Sequence, residues 1–119
     1  MNPIIRDIKD ADHFKFVLGN NPGLVIVKIG ATWCQPCVVS KPLVNAWFEK
    51  MPNRVQIVDI DVDKSAAFYS FMKNKKMVSG IPTILCYIRG NVTYIPDEIQ
   101  VGSSIDKINF FFNQCLELL

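Results

Sequence analysis

The sequence is poor in features that mark several function classes. Histidine occurs once, at His13, which leaves little for a histidine-based metal site. Net charge is only +2 and the basic residues are scattered, so neither nucleic acid nor a membrane surface is indicated as a partner. The one basic run, Lys73-Asn74-Lys75-Lys76, reads as a helix end, where cations suit the dipole. No apolar stretch approaches the ~20 residues of a membrane span. Met1 to Asp7 lacks the charged region, apolar run and cleavage site of a secretory signal, so an intracellular, cytoplasmic protein is expected. Internal repeats, low-complexity tracts and linkers are missing too. Residues 1–119 therefore read as a single domain, large enough for one real core.

Cysteine is also sparse, but two of the four lie close together in Ala31-Thr32-Trp33-Cys34-Gln35-Pro36-Cys37. In an intracellular chain a close pair is more often catalytic or metal-binding than structural. An apolar strand precedes this stretch and an amphipathic helix follows it. Cys34 then stands at or near the first residue of a helix, facing unpaired backbone N–H groups and the positive end of the dipole. Both favour thiolate, the nucleophilic form. Cys37, one turn on, lies on the same side and can close a disulfide with Cys34. Pro36 fixes the first-turn backbone and has no N–H to leave unpaired. The reaction type is thiol–disulfide exchange, with Cys34 as nucleophile and Cys37 as resolving thiol. Structural zinc wants four ligands, usually from two paired motifs, and only Cys86, Cys115 and His13 remain. Their positions, mid-strand, on a core stripe and alone on a helix, offer no such set. No metal is expected, and Cys86 and Cys115 read as buried small apolar residues.

In chain order, Pro3 to Ile8 suggests a short first strand. Asp10 is a candidate N-cap for a helix to about Leu18, with Phe14, Val17 and Leu18 inward. The β-branched run Leu24–Ile29 reads as a buried central strand, with Lys28 its one anomaly. After the cysteines, Val39, Pro42, Leu43, Ala46 and Trp47 form an apolar stripe on a helix ending near Lys50, which Pro42 should kink. Val55 to Val62 alternates as a strand, with Ile57, Asp59 and Asp61 on one face. Ser65 to about Asn74 reads as a helix with Phe68, Phe71 and Met72 inward and Asn74 as left-handed cap. Ile84–Ile88 is a strand, Arg89-Gly90-Asn91 a hairpin turn, and Val92–Ile95 its partner. Ser103 or Ser104 caps a last helix with Ile105, Ile108, Phe112, Cys115 and Leu119 inward; Phe110 falls on the opposite side. The class is α/β: a central mixed sheet, parallel in its first half, with helices on both faces.

Trp33-Cys34-Gln35-Pro36-Cys37, Pro42, Asp61-Val62-Asp63, Gly80-Ile81-Pro82-Thr83, Gly90 and Gly102 occur in one order over nearly the whole chain. In this the chain resembles the thioredoxin family. The resemblance implies the thioredoxin fold, a cis Ile81–Pro82 peptide against the cysteine pair, and a substrate groove formed by Trp33, Ile81 and Pro82. It implies reduction of protein disulfides and no cofactor beyond the redox-active Cys34–Cys37 pair. An upstream disulfide reductase or a thiol pool would restore that pair, and the protein would act as a monomer. An oxidase- or isomerase-like protein of the same fold is the alternative, and a redox-silent adaptor the other.

Several positions depart from the family pattern. Gln35 stands where the best-known members have glycine, which bears on the reduction potential. The segment from Asp63 to Pro82 is about four residues longer than expected, roughly one helical turn. Lys28 stands where the family usually carries a buried aspartate, and alignment puts Asp59 where it usually carries the partner lysine. The pair has exchanged signs. A partnered buried ammonium is far less costly than a lone one. Lys28 and Asp59 are therefore expected to pair and to tune Cys37. The other reading has Lys28 reaching solvent from a strand end.

Overall fold

The structure, a computed structural model, describes residues 2–119; Met1, the first residue of the N-terminal segment considered above, lies outside them. The elements are α1 (Ala11–Gly19), β1 (Leu24–Gly30), α2 (Gln35–Lys50), β2 (Val55–Asp61), α3 (Ala66–Asn74), β3 (Thr83–Ile88), β4 (Glu98–Val101) and α4 (Ile105–Glu117).

Strand β1 is buried along its whole length because it lies inside the sheet and has helices over both faces. The strand order is β2-β1-β3-β4. β2 runs parallel to β1; β3 pairs antiparallel with β1, and β4 antiparallel with β3. Alternation along β1 then feeds two cores. Val25, Val27 and Ile29 enter one with Phe14, Phe68 and Tyr87, under α1 and α3. Leu24 and Ile26 enter the other with Val44, Phe48 and Phe112, under α2 and α4. Each such side chain contributes roughly 1.5–3 kcal/mol when fully buried. Phe14 anchors the first core, its ring 4.8 Å from Phe68 and 5.4 Å from Tyr87. The result is a mixed sheet with helices on both faces.

Capping follows local chemistry. Asp10 Oδ1 accepts from the His13 N–H at 2.8 Å and starts α1. Ser104, rather than Ser103, caps α4. α3 ends differently from expectation. Asn74 is its last helical residue, and Lys76 takes the left-handed conformation at φ 62°. Met77 N–H reaches Met72 C=O and Lys76 N–H reaches Lys73 C=O, so both open carbonyls are satisfied two residues later than Asn74 could manage.

Other expectations are corrected. Pro3–Ile8 is no strand: Ile5 alone bridges to Val58. The chain then leaves the sheet edge, because Ser65 Oγ accepts from the Ile8 N–H and donates to Asp7. Val92–Ile95 does not pair with β3; Glu98–Val101 does. Asn91 bonds Thr93, Ile95 and Asp97, while Asp97 accepts from the Ile88 N–H, and these side-chain bonds hold the chain in a loop where a ladder was expected. The buried stripe of α2 is Cys37, Ser40, Val44 and Phe48; Val39, Pro42 and Ala46 are exposed, and Leu43 and Trp47 flank the core. As expected, the helix carries Pro42 inside it and runs to Lys50. In α4, Phe111 is buried in place of Ile105, which is exposed at the first turn beyond the core's edge. Phe71 is only partly buried.

Candidate active site

The end of β1 delivers Cys34 to the start of α2. Cys34 is the N-cap, in extended conformation, and its sulfur accepts from the Cys37 N–H at 3.3 Å. That bond satisfies one of the helix's open donors. Pro36 sits in the first turn, where no N–H is missed. On its other side Cys34 Sγ donates to the Ile81 carbonyl at 3.6 Å. The Ile81–Pro82 peptide is cis. The Pro82 carbonyl accepts from the Gly102 N–H at 2.8 Å, which ties the loop to the end of β4. Trp33 is 68% exposed, and its indole N–H donates to Asp63 Oδ2 at 2.8 Å. Gln35 is exposed beside it.

Behind Cys34 the environment closes. The Cys37 thiol is pushed up to about 11, first by burial and then by its contact with the Cys34 sulfur; the Lys28 charge acts in the opposite direction. Lys28 and Asp59 are direct partners in the parallel ladder, on the face that points to α2. Lys28 Nζ lies 3.9 Å from Asp59 Oδ1, and its side chain is only 7% exposed, so most of it is enclosed where a strand-end lysine would extend into solvent. Asp59 Oδ2 takes a second cation, Arg6, at 3.2 Å.

Three residues of this arrangement escaped the sequence reading. Gly30 faces Cys37, and a Cβ there would stand 3.3 Å from its sulfur. Asp63 orients Trp33; its place in the Asp61-Val62-Asp63 strand end was the available signal. Arg6 reaches Asp59 across 53 residues of sequence, and nothing in its surroundings marks it. Among the described residues, no group of three or more His, Cys, Asp or Glu is gathered to hold a metal ion. Cys86 and Cys115 are both fully buried in the core under α2 and α4. No helix of the described residues is long and apolar enough to cross a membrane.

A family model described as Thioredoxin matches residues 6–113. Thioredoxin Y1, chloroplastic, of Arabidopsis thaliana is 33% identical over 79 residues, 66% of this chain and 44% of that protein. The chain thus spans less than half of that relative's length. A thioredoxin-like protein of Synechocystis is 25% identical over 82% of this chain and 89% of its own. Among solved structures, reduced Schistosoma mansoni thioredoxin superposes with a TM-score of 0.69 at 26% identity, covering 98% of this chain and 96% of that one. Malassezia sympodialis thioredoxin gives 0.70 at 24%, covering 96% and 94%. With the family model spanning nearly all of it and neighbours of one fold matching end to end, this chain belongs to the thioredoxin family.

Proposed function

We propose that the chain is a thiol–disulfide oxidoreductase that reduces disulfides in protein substrates. The observation that carries this reading is the setting of Cys34. Its sulfur caps a helix through the Cys37 N–H and lies against the Ile81 carbonyl, beside a cis proline. Cys34 thiolate attacks one sulfur of the substrate disulfide and forms a mixed disulfide; the other sulfur leaves as thiolate and takes a proton. Cys37 then loses its proton and attacks Cys34 Sγ, which releases the second substrate thiolate. Two electrons pass to the substrate, and the Cys34–Cys37 disulfide remains. A reductase or thiol pool restores the dithiol, and no further cofactor enters.

Trp33, Ile81 and Pro82 form the substrate groove in this reading. Asp63 holds the indole and leaves its ring face open to a partner. Gln35 and Pro36 shape the turn between the sulfurs. Lys28 and Asp59 tune the second step: the ammonium favours the Cys37 thiolate, and the carboxylate offsets the cost of burying the ammonium. The protein acts as a monomer in a reducing compartment, the cytoplasm by the sequence expectation.

The test is insulin reduction by the wild type and by Cys34→Ser. Activity in the first and none in the second is expected; none in either favours an adaptor. The reduction potential decides direction. A value at or below about −230 mV supports a reductase, and one well above it supports an oxidase or isomerase.

A further inference from the structure

A pocket of about 240 Å³ borders Cys37, and neither Cys34 nor the Ile81–Pro82 loop lines it. One water needs only about 10–15 Å³ of such space, so there is room for a small ligand. Arg6, Lys28, Lys41 and Lys64 line it, against two carboxylates, Asp59 and Asp61. The carboxylates are already engaged. Asp59 takes Arg6 and Lys28, and Asp61 Oδ1 accepts the Asp63 and Lys64 backbone N–H groups. No carboxylate lies within 4.0 Å of Lys41 or Lys64 among the described residues. Lys28 is a second, independent sign. Its side chain is only 7% exposed, and it lines this pocket. Its ammonium is ion-paired with Asp59 at 3.9 Å, too long for a hydrogen bond, and keeps some accessible surface, so its N–H groups stay open to a ligand. Four cations against two carboxylates leave the lining with a surplus of positive charge.

We propose that this pocket binds a small tetrahedral dianion of the phosphate or sulfate class, held by Lys28 from below and by Lys41 and Lys64 from the rim. The anion sits beside Cys37 and opposes the Lys28 field there. It therefore disfavours the Cys37 thiolate and slows release of substrate from the mixed disulfide. Binding stands apart from the exchange reaction; the effect on release rests on the proposed function.

The experiment is a titration of the reduced full chain with inorganic phosphate, followed by amide chemical shifts, against chloride at matched ionic strength. Saturable shifts are expected at residues 28–30, 37, 41 and 64 with phosphate and with sulfate, and none with chloride. Lys41→Gln and Lys64→Gln should each weaken binding by about tenfold, as loss of one charged hydrogen bond implies. Both are exposed on the rim, so the fold should be kept in each. Shifts that are absent, matched by chloride, or unchanged in the Lys41→Gln/Lys64→Gln double variant overturn the site. In insulin reduction, phosphate should slow the wild type and leave the double variant unaffected. Saturable binding with no such slowing would retain the site and overturn the coupling to Cys37; a wild type inactive without phosphate would overturn the proposed function instead.

Discussion

Lys28 and Asp59 face each other across a parallel strand pair, Nζ 3.9 Å from Oδ1, and only Asp59 has a second partner. This asymmetry sets the first prediction. Asp59→Asn leaves a buried ammonium without a counter-charge and should cost about 2–3 kcal/mol, somewhat less than a fully enclosed pair would. Lys28→Met leaves Asp59 with Arg6 and partial exposure, and should cost about 1 kcal/mol or less. Urea denaturation of both variants measures this. The reverse order would show that the pair does not hold the ammonium in place.

The second prediction concerns Cys37. Two of the causes that push its thiol up to about 11 come from Cys34. In Cys34→Ala they vanish, so Cys37 should titrate lower. Adding Lys28→Ala removes a cation that favours the anionic thiolate, so titration should move back up. Each unit of displacement changes the thiolate fraction, and hence the alkylation rate below the midpoint, by about tenfold. The pH dependence of Cys37 alkylation in the two variants gives the sign directly. The same field should act in turnover: pH profiles of Lys28→Ala and Asp59→Asn identical to wild type would sink a tuning role for the pair.

A third prediction follows from α3. Lys76 stands at φ 62°, a conformation that costs an L-residue about 1–2 kcal/mol and glycine almost nothing. Lys76→Gly should raise stability by about 0.5–1 kcal/mol once the greater freedom of the unfolded chain is offset. Asn74→Gly, inside the last helical turn, should instead lower it by about 0.3 kcal/mol. Thermal melts of the pair distinguish the observed helix end from the one expected at Asn74.

These residues also show where the sequence was legible. Asp10 and Ser104 were readable as caps because capping is local chemistry, decided within three residues. β1 was readable because a strand buried on both faces needs a continuous apolar run. The Lys28–Asp59 juxtaposition was reachable because strand alternation put Asp59 on one face and family alignment supplied the register. Failures came where local propensity yields to contacts made elsewhere. Val92–Ile95 has strand composition, but Asn91 and Asp97 hold it in a side-chain-bonded loop. The α2 stripe was offset by one residue because Val39 is as apolar as Val44, and only the sheet beneath chooses between the faces. Arg6 could not be found at all, since its partner lies 53 residues away.

The fourth prediction concerns Gly30, whose role is likewise invisible in sequence. It ends β1 on the face turned to α2, with Lys28 two residues behind it and Cys37 in front. A Cβ at Gly30 would lie 3.7 Å from Cys37 Cβ, an ordinary contact, but 3.3 Å from Cys37 Sγ, closer than carbon and sulfur sit at rest. The backbone there is held in the ladder with β2, one residue past the last pairing with β3, so much of the adjustment falls to the thiol. Gly30→Ala should therefore cost about 1–3 kcal/mol, as overpacking does. It should also turn Cys37 away from the line of attack on Cys34, so that mixed disulfides persist. Mass spectrometry of the enzyme quenched during turnover should find more Cys34-linked substrate in Gly30→Ala than in wild type. Stability lost without that accumulation would mean the glycine serves packing alone.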